Sequence, residues 1–179
     1  EEDLPEPGDH YVTEIGIESI LLVRQKDMSI RAFYNVCQHR GNKLVHSFEQ
    51  PQEAAQSFKC KYHDWEYGLD GGFVDIPDLE TFPQGAPDCS GLTSLPCDSW
   101  GSFVWFSLNP DVEPLKDYLG IIPEHLNPYH FERMVLTKTL TVEWDCNWKA
   151  SVDAFNESYH VQGIHPQLLY YLDDKDIQI

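Results

Sequence analysis

Four residues constrain this chain more than any others: Cys37 and His39, then Cys60 and His63. They form a Cys-x-His and a Cys-x-x-His with 20 residues between them. Each half offers one thiolate and one imidazole from a tight loop, and the halves are far enough apart to come from different hairpins. Both donor types bind transition metals, so the fold has to bring two loops to one point. The 12 prolines and 11 glycines spread over 179 residues imply many short elements joined by turns, which favours a β-rich architecture over a helix bundle. Hydrophobic residues at 41% and aromatics at 13% are enough for a packed core.

Up to about residue 110 the chain reads as short strands. Residues 19–24 are apolar and partly β-branched, and Gln25-Lys26-Asp27 closes them with a polar turn. Residues 30–36 alternate loosely and run into Cys37, so the two segments form a hairpin whose second strand delivers the first ligand loop. Ser57-Phe58-Lys59 leads into Cys60, residues 66–72 end in a glycine turn, and residues 102–108 form a strand halted by Asn109-Pro110. Leu115 to Leu119 then reads as a short helix, followed by a connector through Tyr129. Residues 135–142 alternate apolar and polar with three threonines, predicting a half-buried strand. Residues 148–172 fit one or two helices. The boundary falls near 115–133, giving domains of 1–130 and 131–179.

The formal charge of −18, from 12 basic and 30 acidic residues, excludes nucleic-acid binding and disfavours an anionic membrane surface. No stretch approaches the ~20 apolar residues of a membrane span. Glu1-Glu2-Asp3-Leu4-Pro5 lacks the features of a signal peptide, and the missing initial Met suggests a trimmed or partial chain. Five cysteines are an odd number with two in a ligand pattern, which fits a reducing cytoplasm better than a disulfide scaffold.

Two cysteines on one iron and two histidines on the other is the inventory of a Rieske 2Fe–2S cluster, in which imidazole removes negative charge and raises the potential. A Cys₂His₂ zinc site is the structural alternative, although zinc fingers usually group like ligands and here the types alternate. Arg40-Gly41 after the first pair, Trp65 and Tyr67 after the second, and Gly68-Leu69-Asp70-Gly71 extend the pattern. Together these loops resemble the Cys-x-His-Arg-Gly and Cys-x-Tyr-His-x-Trp-x-Tyr loops of the Rieske non-haem iron oxygenases. The resemblance implies an antiparallel, mainly β Rieske domain followed by the start of an α+β catalytic domain. Asp64 stands where the family commonly has Gly; aspartate tolerates a left-handed backbone better than most residues. Respiratory-chain Rieske proteins carry a loop-linking disulfide and a serine bonded to a cluster sulfur. Here Asn42, Tyr62 and Trp65 occupy those places. Fewer hydrogen bonds to the sulfurs imply the low end of the Rieske range, around −150 mV. Cys89, Cys97 and Cys146 read as small buried residues or free thiols.

A second constellation lies in 147–166, where Asn147-Trp148-Lys149, Glu157, Tyr159-His160 and His165 resemble the start of the oxygenase catalytic domain. The resemblance makes His160 and His165 ligands of a mononuclear Fe(II), with two histidines and one carboxylate leaving a face open for O₂ and substrate. Five residues on a regular helix is ~140° of rotation, so both rings reach one metal only if the helix bends or ends. Gly163 and Pro166 are the candidates for that bend. Glu157, three residues before His160, matches the carboxylate that bridges to a Rieske histidine of a neighbouring subunit; Asp153 ranks second. The family's third ligand is an aspartate well over a hundred residues downstream. Asp173, Asp174 and Asp176 are too close to match it, so a fragment is expected.

The implied function is that of a terminal oxygenase large subunit. It would take electrons from a ferredoxin or flavin reductase and use O₂ to hydroxylate or demethylate a small organic substrate, aromatic on family frequency. It would work as a homotrimer, in some members with a β subunit. A Rieske ferredoxin and a zinc-stapled interaction domain are the rivals. The residues after 179 separate the first from an oxygenase, and an absorption or EPR spectrum separates the second.

Overall fold

The computed structural model describes residues 2–46, 54–85 and 87–171. The chain divides into two compact units, 1–135 and 136–179. The first holds nine described strands: β1 (His10–Ile15), β2 (Glu18–Arg24), β3 (Ile30–Tyr34), β4 (Ser57–Lys59), β5 (Glu66–Gly68), β6 (Phe73–Asp75), β7 (Ser94–Leu95), β8 (Cys97–Trp100) and β9 (Phe103–Phe106). They form three antiparallel sheets in the orders β1-β2-β3-β7, β4-β5-β6 and β8-β9. The predicted hairpin of residues 19–36 is the pair β2–β3, with Leu22 opposite Ala32 and Leu21 opposite Phe33.

The four-stranded sheet is covered on both faces, and β2 records this. Ile20, Leu21, Leu22 and Val23 are all buried. Leu21 and Val23 enter a large core with Phe33, Phe58, Trp65 and Tyr67. Ile20 and Leu22 enter a smaller one with Leu4, Ala32 and Leu95, flanked by Val104 and Phe106 of β9. Successive side chains of a strand point to opposite faces, so an unbroken apolar run marks a strand with no wet side. Each fully buried aliphatic side chain contributes about 1.5–3 kcal/mol.

Past β9 come α1 (Leu115–Leu119), where a helix is expected, and α2 (Ile122–Leu126), within the expected connector. The second unit contains α3 (Trp148–Phe155), α4 (Val161–Ile164) and a 3₁₀ turn over Pro166–Tyr170. Asn147 caps α3, its side-chain oxygen accepting the Lys149 N–H at 2.9 Å. The strand expected at 135–142 does not form: this stretch takes no regular structure, and Leu136 and Leu140 are 75% and 77% exposed. Alternation makes a segment compatible with a sheet, but a strand exists only through a neighbour. None of the described segments pairs with this one. Among the described residues, no helix is long and apolar enough to cross a membrane.

Candidate metal centres

The first centre stands on two loops with the same backbone design. In one, the Cys37 N–H donates to the Asn42 carbonyl at 2.8 Å and the Gly41 N–H to the Cys37 carbonyl at 2.9 Å. In the other, the Cys60 N–H donates to the Trp65 carbonyl and the Asp64 N–H to the Cys60 carbonyl, both at 2.9 Å. The fifth residue of each is left-handed: Gly41 at φ 73° and Asp64 at φ 58°. The second loop therefore keeps its form with aspartate, at a position where glycine carries no steric cost. β3 delivers the first loop; the hairpin β4–β5 carries the second between its strands.

Cys37 and Cys60 are each 2% exposed and belong to the large core, and neither forms a disulfide. His39 is half-buried and His63 exposed, with ring centroids 4.6 Å apart. Trp65 lies flat on His39, 4.8 Å between centroids and 10° between planes, and Phe73 and Phe82 pack against the indole. Tyr62 rests on His63 at 4.0 Å. Thiolates inside and imidazoles outward match the unequal grip that the ligand types suggest.

Two polar residues attend the sulfurs. Tyr67 is fully buried; its oxygen accepts the Gln38 N–H at 2.9 Å and lies 3.2 Å from Cys37 Sγ, to which its O–H donates when that sulfur is a thiolate. Asn42 Nδ2 donates to the Lys43 carbonyl at 2.8 Å and reaches toward Cys60 Sγ at 3.9 Å. Each cysteine thus keeps one side-chain donor, more than the sequence comparison with respiratory-chain proteins implied. The buried Asn35 fastens the backbone that leaves the first loop, its Oδ1 accepting from Leu44 and Val45 and its Nδ2 donating to the Val45 carbonyl. Sequence reasoning missed the parts played by Asn35 and Asn42. The one signal was polar residues flanking the first ligands.

The electrostatics test whether iron suits this place. Burial pushes the Cys37 thiol above its ordinary value; the Tyr67 hydrogen bond opposes this and the neighbouring Cys60 adds to it. Two adjacent buried sulfurs are costly as thiolates without a cation, and a bound metal reverses that balance. Burial, with help from His63 and Arg40, holds His39 below the usual imidazole range, a shift toward the neutral, metal-binding form. A two-iron cluster asks for a pair of thiolates and a pair of imidazoles, which the two loops supply. The residues present fit the 2Fe–2S group.

In the second unit, His160 and His165 bracket α4. The His160 carbonyl accepts from Gly163 at 3.1 Å and Ile164 at 2.9 Å, and the helix stops at His165 with φ −124° and ψ 50°. Ending the helix there brings the rings to 5.5 Å between centroids. Pro166 opens the next turn. Gly163 has ordinary backbone angles and open space around it, so the change of direction lies at His165 and Pro166, not at the glycine. Glu157 Oε1 forms a short hydrogen bond with His160 Nδ1, and Oε2 accepts the His160 N–H at 3.2 Å. That bond holds the Glu157 carboxyl below the usual carboxylate range. A carboxylate on one ring nitrogen fixes the tautomer and leaves Nε2 for a metal. Asp153 sits exposed on α3, while Glu157 is half-buried. Asp173, Asp174 and Asp176 lie outside the described residues. Of the other cysteines, Cys89 and Cys146 are exposed, and burial pushes the half-buried Cys97 up to about 11.

A paired-loop, thiolate-inside and imidazole-outside arrangement on an antiparallel β scaffold defines an iron–sulfur protein of Rieske type. The model of the Rieske [2Fe-2S] domain matches residues 1–96, and that of the ring hydroxylating alpha subunit (catalytic domain) matches residues 131–178. The chain belongs to the Rieske [2Fe–2S] family, in the form found in the N-terminal portion of Rieske oxygenase large subunits. It is similar to the oxygenase subunit of glycine betaine monooxygenase from Chromohalobacter salexigens, 31% identical over 97% of this chain and 38% of the relative. It is also similar to the large oxygenase component of the naphthalene 1,2-dioxygenase system from Pseudomonas aeruginosa, 34% identical over 93% of this chain and 38% of the relative. A solved quaternary ammonium Rieske monooxygenase in complex with L-carnitine superposes with a TM-score of 0.83 at 28% identity, covering 96% of this chain and 49% of that one. The chain thus spans less than half the length of these relatives. The two family matches imply a 2Fe–2S cluster and a mononuclear iron as cofactors.

Proposed function

We propose that this chain is the electron-receiving portion of a Rieske oxygenase large subunit, with residues 1–130 as the Rieske domain and 131–179 as the opening of the catalytic domain. Cys37 and Cys60 would hold one iron of the cluster and His39 and His63 the other. His160 and His165 would hold the mononuclear Fe(II), with an aspartate beyond residue 179 as third ligand. When bound, the cluster supplies single electrons and the mononuclear iron activates O₂ to hydroxylate or demethylate a small organic substrate. Aromatic and quaternary ammonium compounds are the classes that the relatives' names point to. The donor would be a ferredoxin or flavin reductase, and the five unpaired thiols suit a reducing cytoplasm.

The chain's own residues prepare this chemistry. The two loops close on their own backbone hydrogen bonds, which sets where the four ligand side chains leave the chain. Trp65 shields one face of His39, and the exposed His63 offers a short path to a partner. Glu157 orients His160 through its Nδ1, leaving Nε2 to face a metal. Its oxygens have lone pairs beyond the two bonds to His160, enough to accept from a Rieske histidine of another copy in a homotrimer. The solved structure of one similar protein, a quaternary ammonium Rieske monooxygenase, gives insights into inter-subunit electron transfer.

The observation that carries the proposal is the pairing of two buried cysteines with two adjacent imidazoles on matching loops. Protein purified without oxygen should contain two irons and two acid-labile sulfides per cluster site and give a Rieske EPR spectrum on reduction. Colourless protein with one zinc per chain overturns the reading. In the full-length protein, Glu157→Gln should keep both metals but lose turnover, with Glu157→Asp retaining part of it.

A further inference from the structure

We infer that Asn42 is a positioning residue for the cluster: its side-chain amide ties the first ligand loop to Cys60 of the second and raises the cluster's reduction potential. This rests on the 2Fe–2S reading. The backbone of Asn42 is fixed by a ligand, since its carbonyl accepts the Cys37 N–H at 2.8 Å. Its Nδ2 carries two protons. One goes to the Lys43 carbonyl at 2.8 Å, which sets the plane of the amide. The other faces Cys60 Sγ at 3.9 Å, at the longer reach of a bond to sulfur. Both neighbours are acceptors, so nitrogen, not oxygen, must face them.

The arrangement is reciprocal. Tyr67, two residues past the second loop, donates to Cys37 Sγ of the first at 3.2 Å, while Asn42 of the first loop reaches Cys60 of the second. Because Cys60 is buried, water does not readily replace a lost donor. A reduced cluster carries one more negative charge than an oxidised one, so a donor on a ligand sulfur stabilises the reduced form more. Asn42 occupies the place where respiratory-chain Rieske proteins join their loops covalently, and it does a similar job by hydrogen bonding.

The test uses Asn42→Leu, which matches the side chain in size but removes the donor, and Asn42→Gln, which keeps one. In the chain carrying its cluster, a dye-mediated titration followed by visible circular dichroism should show a negative shift of the midpoint potential in Asn42→Leu. The Fe–S stretching bands in resonance Raman should move with it, and Asn42→Gln should fall between that variant and the parent. If Asn42→Leu cannot retain the cluster, Asn42→Ala replaces it with the same expected shift. A donor-free variant with full cluster content and an unchanged potential overturns the inference. A parent chain without a 2Fe–2S spectrum removes instead the reading on which it rests.

Discussion

At the scale of single residues, the polar groups behind the ligands hold the site in shape. Asn35 is fully buried, two positions before Cys37, and its side chain makes four hydrogen bonds: to Ser19 Oγ, to the Val45 carbonyl, and from the Leu44 and Val45 N–H groups. Asn35→Ala removes the side-chain partner of the buried Val45 carbonyl and of the Leu44 and Val45 N–H groups, so a loss of at least about 2 kcal/mol is expected in urea unfolding. The candidate ligands stand out in the sequence because few side chains bind iron and their spacing is restrictive. The hydrogen-bonding role of Asn35 was not, because its partners lie 9 to 16 positions away and pattern reading sees only local periodicity. Asp64 was a middle case, since the residue type says it tolerates φ 58° but does not say that the loop requires it.

At the scale of elements, local signals were good where an element's character came from its own residues. β2, β3, β4, β9 and α1 carry compact apolar or turn-bounded runs and fall where the sequence puts them. β8, Cys-Asp-Ser-Trp, has no apolar run and takes its strand form from pairing with β9. The segment 135–142 shows the converse, a good pattern without a described partner. One contact joins β1 to the first ligand loop: Lys43 Nζ bonds Glu14 Oε1 at 2.9 Å, and Ser19 Oγ donates to the same oxygen at 2.9 Å. These bonds, Lys43 first, hold the Glu14 carboxyl below its ordinary 4.5. A carboxyl whose folded pKa is depressed adds stability above its unfolded value and loses it as pH falls through the folded one. The difference in melting temperature between the parent and Glu14→Gln should therefore be constant above about pH 5.5 and shrink on acidification below 4.5. It should also shrink in high salt, since the pair is exposed. In α4, Gly163→Ala should stabilise by up to about 1 kcal/mol in denaturant unfolding, because the site has room and ordinary angles. The His160–His165 geometry should survive it, as the turn of the chain lies at His165 and Pro166.

At the scale of the molecule, the first unit is organised around a sheet with two covered faces, and Cys37 and Cys60, the proposed thiolate ligands, are part of its larger core. Metal binding is then also folding energy. Stripping iron from the protein should lower the melting temperature of this unit by several degrees or more, readable by calorimetry and restored on reconstitution. Loss of metal with no change in the melt would show that the loops stand without it. The far side of the sheet should feel the same event. β2 sends Leu21 and Val23 toward the ligands and Ile20 and Leu22 toward β9. It therefore works like a shared beam between two floors, and amide protons in β8 and β9, where no ligand lies, should exchange faster once the iron is gone.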